Sequence, residues 1–427
     1  MTSPTTLHLT NAYHATSGGI RTFYRALMAE AEARGRRMRL VVPGEHAMVE
    51  TCGRFGVIYV VAAPRAPGFD RRYRLLSPRH YLSVCSPIAR ILAHENPDVV
   101  EVCDKYTLCH VARLARIGWY GPRPRPTLVG LSCERMDDNV AAYLSARAPV
   151  LATARRYLRH VYAPSFDVHV ANSAYTAGEL REHAGVDDVA VCPPGVDARL
   201  FAAARPDPSL RATLLAAAGG DVSSRLALYA GRLSPEKNLP LLVQAVAELA
   251  RRRSAEPATA PDVRLVVAGE GPQAAALEVL AARTAPGQVR FIGHIGDRRA
   301  LAAHYASADV FVHPNPREPF GIGPLEAMAA GVPVVVPKAG GVLSYADDGN
   351  AWLATPDPVA FAQAIADASA GRASARVARA VATAHAHAWE VVAGHYFDLL
   401  DRRHAARLAR AAQPHTTACP HAAAARR

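Results

Sequence analysis

Short apolar runs recur along this chain, and most are followed by a loop carrying glycine or serine and then by an amphipathic stretch. Residues 7–10, 38–42, 57–62, 97–102, 127–131 and 167–171 read as buried strands. Residues 21–34, 88–94 and 147–160 between them read as helices; in the first, Ile20, Phe23, Tyr24 and Leu27 form an apolar face. After Pro193-Pro194-Gly195 and a polar run beyond Phe201, which read as a linker, the pattern restarts. Strands are expected at 226–230, 264–268, 289–292, 309–313 and 334–336, with helices at 240–251 and 301–306. Strands that alternate with helices build parallel sheets covered on both faces. The expected architecture is therefore α/β, with two such units in tandem and a cleft between them. Residues 359–411 are alanine-rich and helical, and 413–427 are low in complexity and expected to be disordered.

The stretch 317–336, REPFGIGPLEAMAAGVPVVV, concentrates chemistry. Glu318 and Glu326 stand seven residues apart. Gly323-Pro324 reads as a helix start and Gly331 with Pro333 as its stop, placing Glu326 at the third helical position. Gly321 and Gly323 leave backbone amides bare at that helix start, an anion site in waiting. Two carboxylates flanking such a site suit a ligand with hydroxyls at both ends of a diphosphate, because a carboxylate accepts from vicinal hydroxyls.

Upstream, Arg232 and Lys237 flank a Ser-Pro turn after the 226–230 strand. Two cations at a strand end can stabilise charge on a leaving diphosphate. The chain has 49 basic residues, of which only Lys105, Lys237 and Lys338 are lysine, so a compact ammonium at 237 is a marked choice. No Asp-x-Asp occurs, which agrees with side-chain cations in place of a metal. His415, Cys419 and His421 fit no standard zinc spacing, and no metal site is expected.

In the first half, Gly18-Gly19 lies between a strand and a helix and could admit a phosphate. It is not G-x-G-x-x-G, and no acidic residue closes the next strand, which argues against a dinucleotide-dependent oxidoreductase. Glu134 and Arg135 follow the 127–131 strand, where ligands of open α/β sheets bind. Residues 64–80 interleave Arg with Phe69, Tyr73, Leu75 and Leu76, suiting an acceptor loop, a membrane surface or single-stranded nucleic acid. The formal net charge of +12 suits an anionic partner. Seven cysteines with no C-x-x-C pair read as free thiols in a reducing compartment. With no signal peptide or spanning segment visible, the expected location is cytoplasmic, with peripheral contact at the inner face of the membrane allowed.

The runs LYAGRLSPEKNLPLLVQAVAEL, LVVAGEGP, VRFIGHI and REPFGIGPLEAMAAGVPVVV together resemble a family 4 retaining glycosyltransferase of the GT-B fold, over most of residues 1–400. In the first half, VEVCDKYTL and LSCERMD resemble the GDP-mannose-dependent mannosyltransferases of bacterial glycolipid synthesis. The resemblance implies two Rossmann-like units: 1–198 on the acceptor side and 199–385 holding the donor. It also implies a helix at 386–411 that crosses back, and a tail at 412–427. It implies that Arg232 and Lys237 hold the donor diphosphate and that Glu318 faces the transferred sugar. Amides around Phe320, Gly321 and Ile322 would meet sugar and phosphate. Glu326 would take the ribose hydroxyls, and Gly19, with Gly18, would approach the phosphate from the other unit. Where that family commonly places a histidine against the sugar, this chain has Cys133, followed by Glu134. A thiol is the weaker hydrogen-bonding partner.

The reading is a hexosyltransferase that needs no cofactor or metal. It would move a hexose such as mannose from a nucleotide diphosphate sugar to a hydroxyl acceptor of glycolipid or polysaccharide-precursor type, without nucleic acid. Two alternatives stay open: a sugar-nucleotide epimerase, and an inactive relative that binds nucleotide or an anionic membrane surface.

Overall fold

The computed structural model describes residues 3–14, 19–66, 73–121, 125–371 and 374–412. Gly18, Phe69 and the 413–427 tail lie outside the described residues.

Two sheets form. The first contains β1 (Thr6–Thr10), β2 (Met38–Gly44), β3 (Met48–Cys52), β4 (Gly56–Ala62), β5 (Val99–Cys103), β6 (Thr127–Ser132), β7 (Val168–Ala171) and β8 (Val189–Val191). Their order is β3-β4-β2-β1-β5-β6-β7-β8. The second contains β9 (Arg225–Ala230), β10 (Val263–Ala268), β11 (Val289–Gly293), β12 (Val310–Val312), β13 (Val334–Pro337) and β14 (Trp352–Ala354), in the order β11-β10-β9-β12-β13-β14. Pairing is parallel throughout, except for β3 on β4. Every residue of β1, β5 and β6 is buried, as helices on both faces of a parallel sheet require.

The strand order locates the cleft. In the first sheet the chain winds outward from β1 in one direction, then returns to lay β5 on its other side. In the second, β9 is likewise flanked by β10 and β12. Ligands of such sheets bind beyond the carboxyl ends of strands at these reversals. Gly19 follows β1, Lys105 follows β5, Lys237 follows β9 and His313 follows β12.

The C-terminal helix Trp389–Ala412 returns to the first sheet, as the resemblance implied. Its Trp389, Ala393, Tyr396, Phe397 and Leu400 share one core with Phe23, Tyr24 and Leu27 of the helix Gly19–Ala33. Asp398 pairs with Arg34 at 2.5 Å and Asp401 with Arg36 at 2.8 Å. Tyr396 donates to the buried Glu101 of β5, which also accepts from Tyr24 at 2.7 Å. Where the chain passes between units, Val196 N donates to His387 O at 2.8 Å, and Trp389 N to Val196 O at 3.1 Å.

Two expectations need correction, and one strand was missed. The polar run beyond Phe201 is not linker. It forms helices Ala198–Ala203 and Pro208–Ala217, N-capped by Asp197 and Asp207, with Phe201, Leu214 and Leu215 in the second unit's core. The helix expected to begin at Pro324, after Gly323, starts at Ile322, because Gly321 takes φ +87 as its cap, so Glu326 is the fifth helical residue rather than the third. The edge strand β3, which carries no apolar alternation, was not expected at all; Met48 and Val49 are exposed.

Candidate active site

The loop from β12 to the helix Ile322–Ala329 folds tightly on a second loop. Gly341 N donates to Glu318 O at 2.6 Å, and a Cβ on Gly341 would sit 1.9 Å from Pro319 O. No side chain fits there. Gly321, at positive φ, faces Val342, Glu318 and Tyr345, and the Tyr345 hydroxyl donates to its carbonyl. Phe320 is buried, its ring centroid 5.0 Å from that of Tyr345. The amides at Gly321, Ile322 and Gly323 therefore belong to a rigid helix start, where first-turn N–H groups lack intrahelical partners.

Glu318 is buried in this loop. Lys237 Nζ lies 2.7 Å from its Oε2, His313 Nε2 3.3 Å and Asn315 Nδ2 3.1 Å. Burial would push this carboxyl up; the Lys237 ammonium and the His313 ring outweigh it and hold it far below the usual range. Arg232 is more open, with its side chain 44% exposed and Nη2 3.2 Å from Glu236 Oε1.

Glu326 sits deeper along the same helix, its Oε2 3.2 Å from the Tyr305 hydroxyl and its Oε1 3.4 Å from Arg298 Nη2. Burial raises its pKa to about 7, against the pull of Arg298 and Tyr305.

Across the cleft, a Cβ on Gly19 would stand 3.4 Å from Ile322 Cδ1, so the first-unit helix start faces the second-unit helix start directly. Cys133 is half-buried, and its neighbouring thiol together with burial raises the pKa of Cys103. Glu134 accepts from Asn139 Nδ2 at 2.8 Å, and its backbone carbonyl accepts from Lys105. Burial pushes the Glu134 carboxyl up, against Lys105 and Asn139. Arg135 turns inward to Asp137 at 2.7 Å and stacks 4.8 Å from the Tyr175 ring, within the first unit.

A family model described as "Glycosyltransferase Family 4" matches residues 17–200, and one described as "Glycosyl transferases group 1" matches 216–384. A GDP-mannose-dependent alpha-(1-6)-phosphatidylinositol dimannoside mannosyltransferase of Mycobacterium tuberculosis is 30% identical over 367 residues, covering 84% of this chain and 86% of that protein. The chain belongs to the family 4 glycosyltransferases. A GDP-mannose-dependent alpha-mannosyltransferase of Corynebacterium glutamicum is 25% identical, covering 78% of this glycosyltransferase and 71% of its own length. Among solved structures, sucrose-phosphate synthase from Thermosynechococcus elongatus superposes with a TM-score of 0.73 at 20% identity, covering 94% of this chain and 100% of that one. The fold is GT-B, and the enzyme is a hexosyltransferase.

Within this glycosyltransferase, Glu318, Lys237, Gly321 and Ile322 converge on one rim, with Arg232 beside them and Gly19 opposite. Glu326 stands apart, at the Arg298–Tyr305 side of the helix. Sequence reasoning missed His313, Asn315, Arg298 and Tyr305. The signal for His313 and Asn315 was their place just past β12; that for Arg298 and Tyr305 appears only once the helix Arg298–Ser307 is packed against the helix carrying Glu326. Among the described residues, no helix is long and apolar enough to cross a membrane.

Proposed function

We propose that this glycosyltransferase moves a mannosyl group, with retained configuration, from GDP-mannose to a hydroxyl of a lipid-linked glycan or polyol. The observation that carries the reading is the Lys237–Glu318 pair at the rim formed by the Ile322 helix start, with Arg232 alongside. The relatives' mannosyl and GDP-mannose names support the sugar and the base, and the phosphatidylinositol dimannoside relative supports a lipid-borne acceptor.

In this reading the diphosphate takes the bare amides of Gly321 and Ile322. Lys237 then shares its ammonium between Glu318 and a phosphate oxygen, and Arg232 turns its guanidinium to the same group. As the sugar–phosphate bond breaks, charge grows on the leaving oxygen, and both cations are already in place to meet it. No metal is assigned a part. Glu318, held ionised, accepts from the sugar hydroxyls and orients the anomeric carbon toward the acceptor. Glu326 takes the ribose diol. Gly19 leaves room for the phosphate at the closed cleft, and Cys133 and Glu134 face the sugar from the first unit. Arg147, Arg155, Arg156 and Arg159 offer a basic surface to an anionic membrane on the cytoplasmic side.

The test is a donor screen by mass spectrometry with purified protein, a bacterial lipid extract and EDTA present. A hexose added from GDP-mannose, and not from UDP-glucose, supports the reading. Transfer from UDP sugars alone rejects the donor, transfer abolished by EDTA rejects the metal-free assignment, and transfer to water alone rejects the lipid acceptor.

A further inference from the structure

The helix Met136–Tyr143 hangs from the carboxyl end of β6 and reaches over the cleft. At its last residue, the Tyr143 hydroxyl donates to Glu236 Oε2 at 2.5 Å. Glu236 belongs to the second unit, in the turn Pro235–Lys237 between the two proposed phosphate cations. Its other oxygen, Oε1, accepts from Ser234 Oγ at 2.5 Å and faces Arg232 Nη2 at 3.2 Å. From the same first-unit helix, Asp138 approaches Arg317, the residue before Glu318, at 3.9 Å. One short helix of the acceptor-side unit therefore touches both loops that present the donor-side charges.

Consider the carboxylate of Glu236 without Tyr143. Both of its oxygens could then turn to the guanidinium, in the bidentate geometry that Arg and a carboxylate favour. Arg232 would be held by a protein anion and withheld from the diphosphate. With Tyr143 on Oε2 and Ser234 on Oε1, Arg232 meets Glu236 through Oε1, with Nη2 at 3.2 Å. Its side chain remains 44% exposed.

We propose that Tyr143 is a positioning residue of this glycosyltransferase: in the closed cleft it takes one oxygen of Glu236 and so releases and aims Arg232 at the diphosphate. The inference rests on the proposed role of Arg232 above. It ties catalytic competence to closure, because the hydroxyl that frees Arg232 arrives from the opposite unit.

Initial rates with donor and acceptor varied separately test it, using Tyr143→Phe, Glu236→Gln, the double variant and Arg232→Ala. Tyr143 is half exposed, so the Phe variant keeps the fold, checked by an unchanged unfolding midpoint. The expected result for Tyr143→Phe is a kcat about tenfold lower with both KM values within about twofold, the signature of an interaction that matters in the transition state. On a Glu236→Gln background, the same change adds less than about twofold. A Tyr143→Phe enzyme with normal kcat overturns the inference. So do raised KM values at unchanged kcat, which would mark a mere closure contact, and so does an effect that multiplies fully with Glu236→Gln. Arg232→Ala separates the two levels. Full activity in that variant overturns both the diphosphate assignment and this inference; a large loss there beside a normal Tyr143→Phe overturns the inference alone.

Discussion

Lys237 and Glu318, 81 residues apart in sequence, meet at 2.7 Å where the carboxyl end of β9 comes alongside that of β12. The pair is largely shielded, with side chains 16% and 9% exposed. A buried pair is costly to break from one side, because the remaining charge keeps its desolvation penalty without its partner. Lys237→Ala should therefore lose activity by about 10²-fold or more. It should also lose about 3 kcal/mol of stability, the low end for such a break because His313 and Asn315 remain beside Glu318. Lys237→Met combined with Glu318→Gln should recover most of that stability and none of the activity. Chemical denaturation and rate assays on the two proteins separate structural from catalytic loss.

The same carboxylate makes stability depend on acid. Glu318 is held below its usual value of 4.5 by Lys237 and His313, against burial. A lowered acid contributes stability that is full above its unfolded value and fades as pH falls toward the folded one. Wild type should thus exceed Glu318→Gln in unfolding free energy near neutrality and lose that advantage as pH drops below about 4.5. Urea midpoints for both proteins from pH 7 to pH 3 should draw closer together below about pH 4.5; parallel curves would rule the linkage out.

Much of this architecture was legible because buried parallel strands announce themselves as apolar runs, as in β12, β13 and residues 226–230 of β9. Composition could not reveal strand order, and strand order is what sets His313 and Asn315 against Glu318. The start of the helix carrying Glu326 lies two residues before the Pro324 that the Gly323-Pro324 pair suggests, because the cap is decided by the positive φ of Gly321. The Asp207-Pro208 start was present in the sequence as an N-cap before proline, but the surrounding polarity masked it. Tyr143 carries no motif; only its reach across the cleft to Glu236 marks it.

The crossing helix should behave as part of the first unit's core. Phe397 is fully buried against the Gly19–Ala33 helix, with the Arg36 guanidinium 4.5 Å from its ring centroid. Phe397→Ala removes that packing and should cost about 3–5 kcal/mol. Leu408, on the same helix but 48% exposed, should tolerate alanine within about 0.5 kcal/mol. Equal midpoints for the two variants in urea would mean that the helix does not hold the first unit together.

Glu326 offers a proton count on donor binding. Burial raises its pKa to about 7, so in the free enzyme near pH 6 most molecules carry a neutral carboxyl beside Arg298 and Tyr305. For an acid raised in this way, the folded-state preference for the proton is complete below the usual 4.5 and is lost as pH rises through about 7. A ribose diol donates two hydrogen bonds most strongly to the ionised form. Binding of GDP should therefore expel a proton below pH 7, and affinity should climb between pH 6 and pH 8 by up to about tenfold. Calorimetric titration at pH 6.5 in two buffers of different ionisation enthalpy should report net proton release for wild type and none for Glu326→Gln, whose affinity should also be flat with pH. Equal proton counts for the two proteins would place the ribose elsewhere, and with it the orientation of the donor along the Ile322–Ala329 helix.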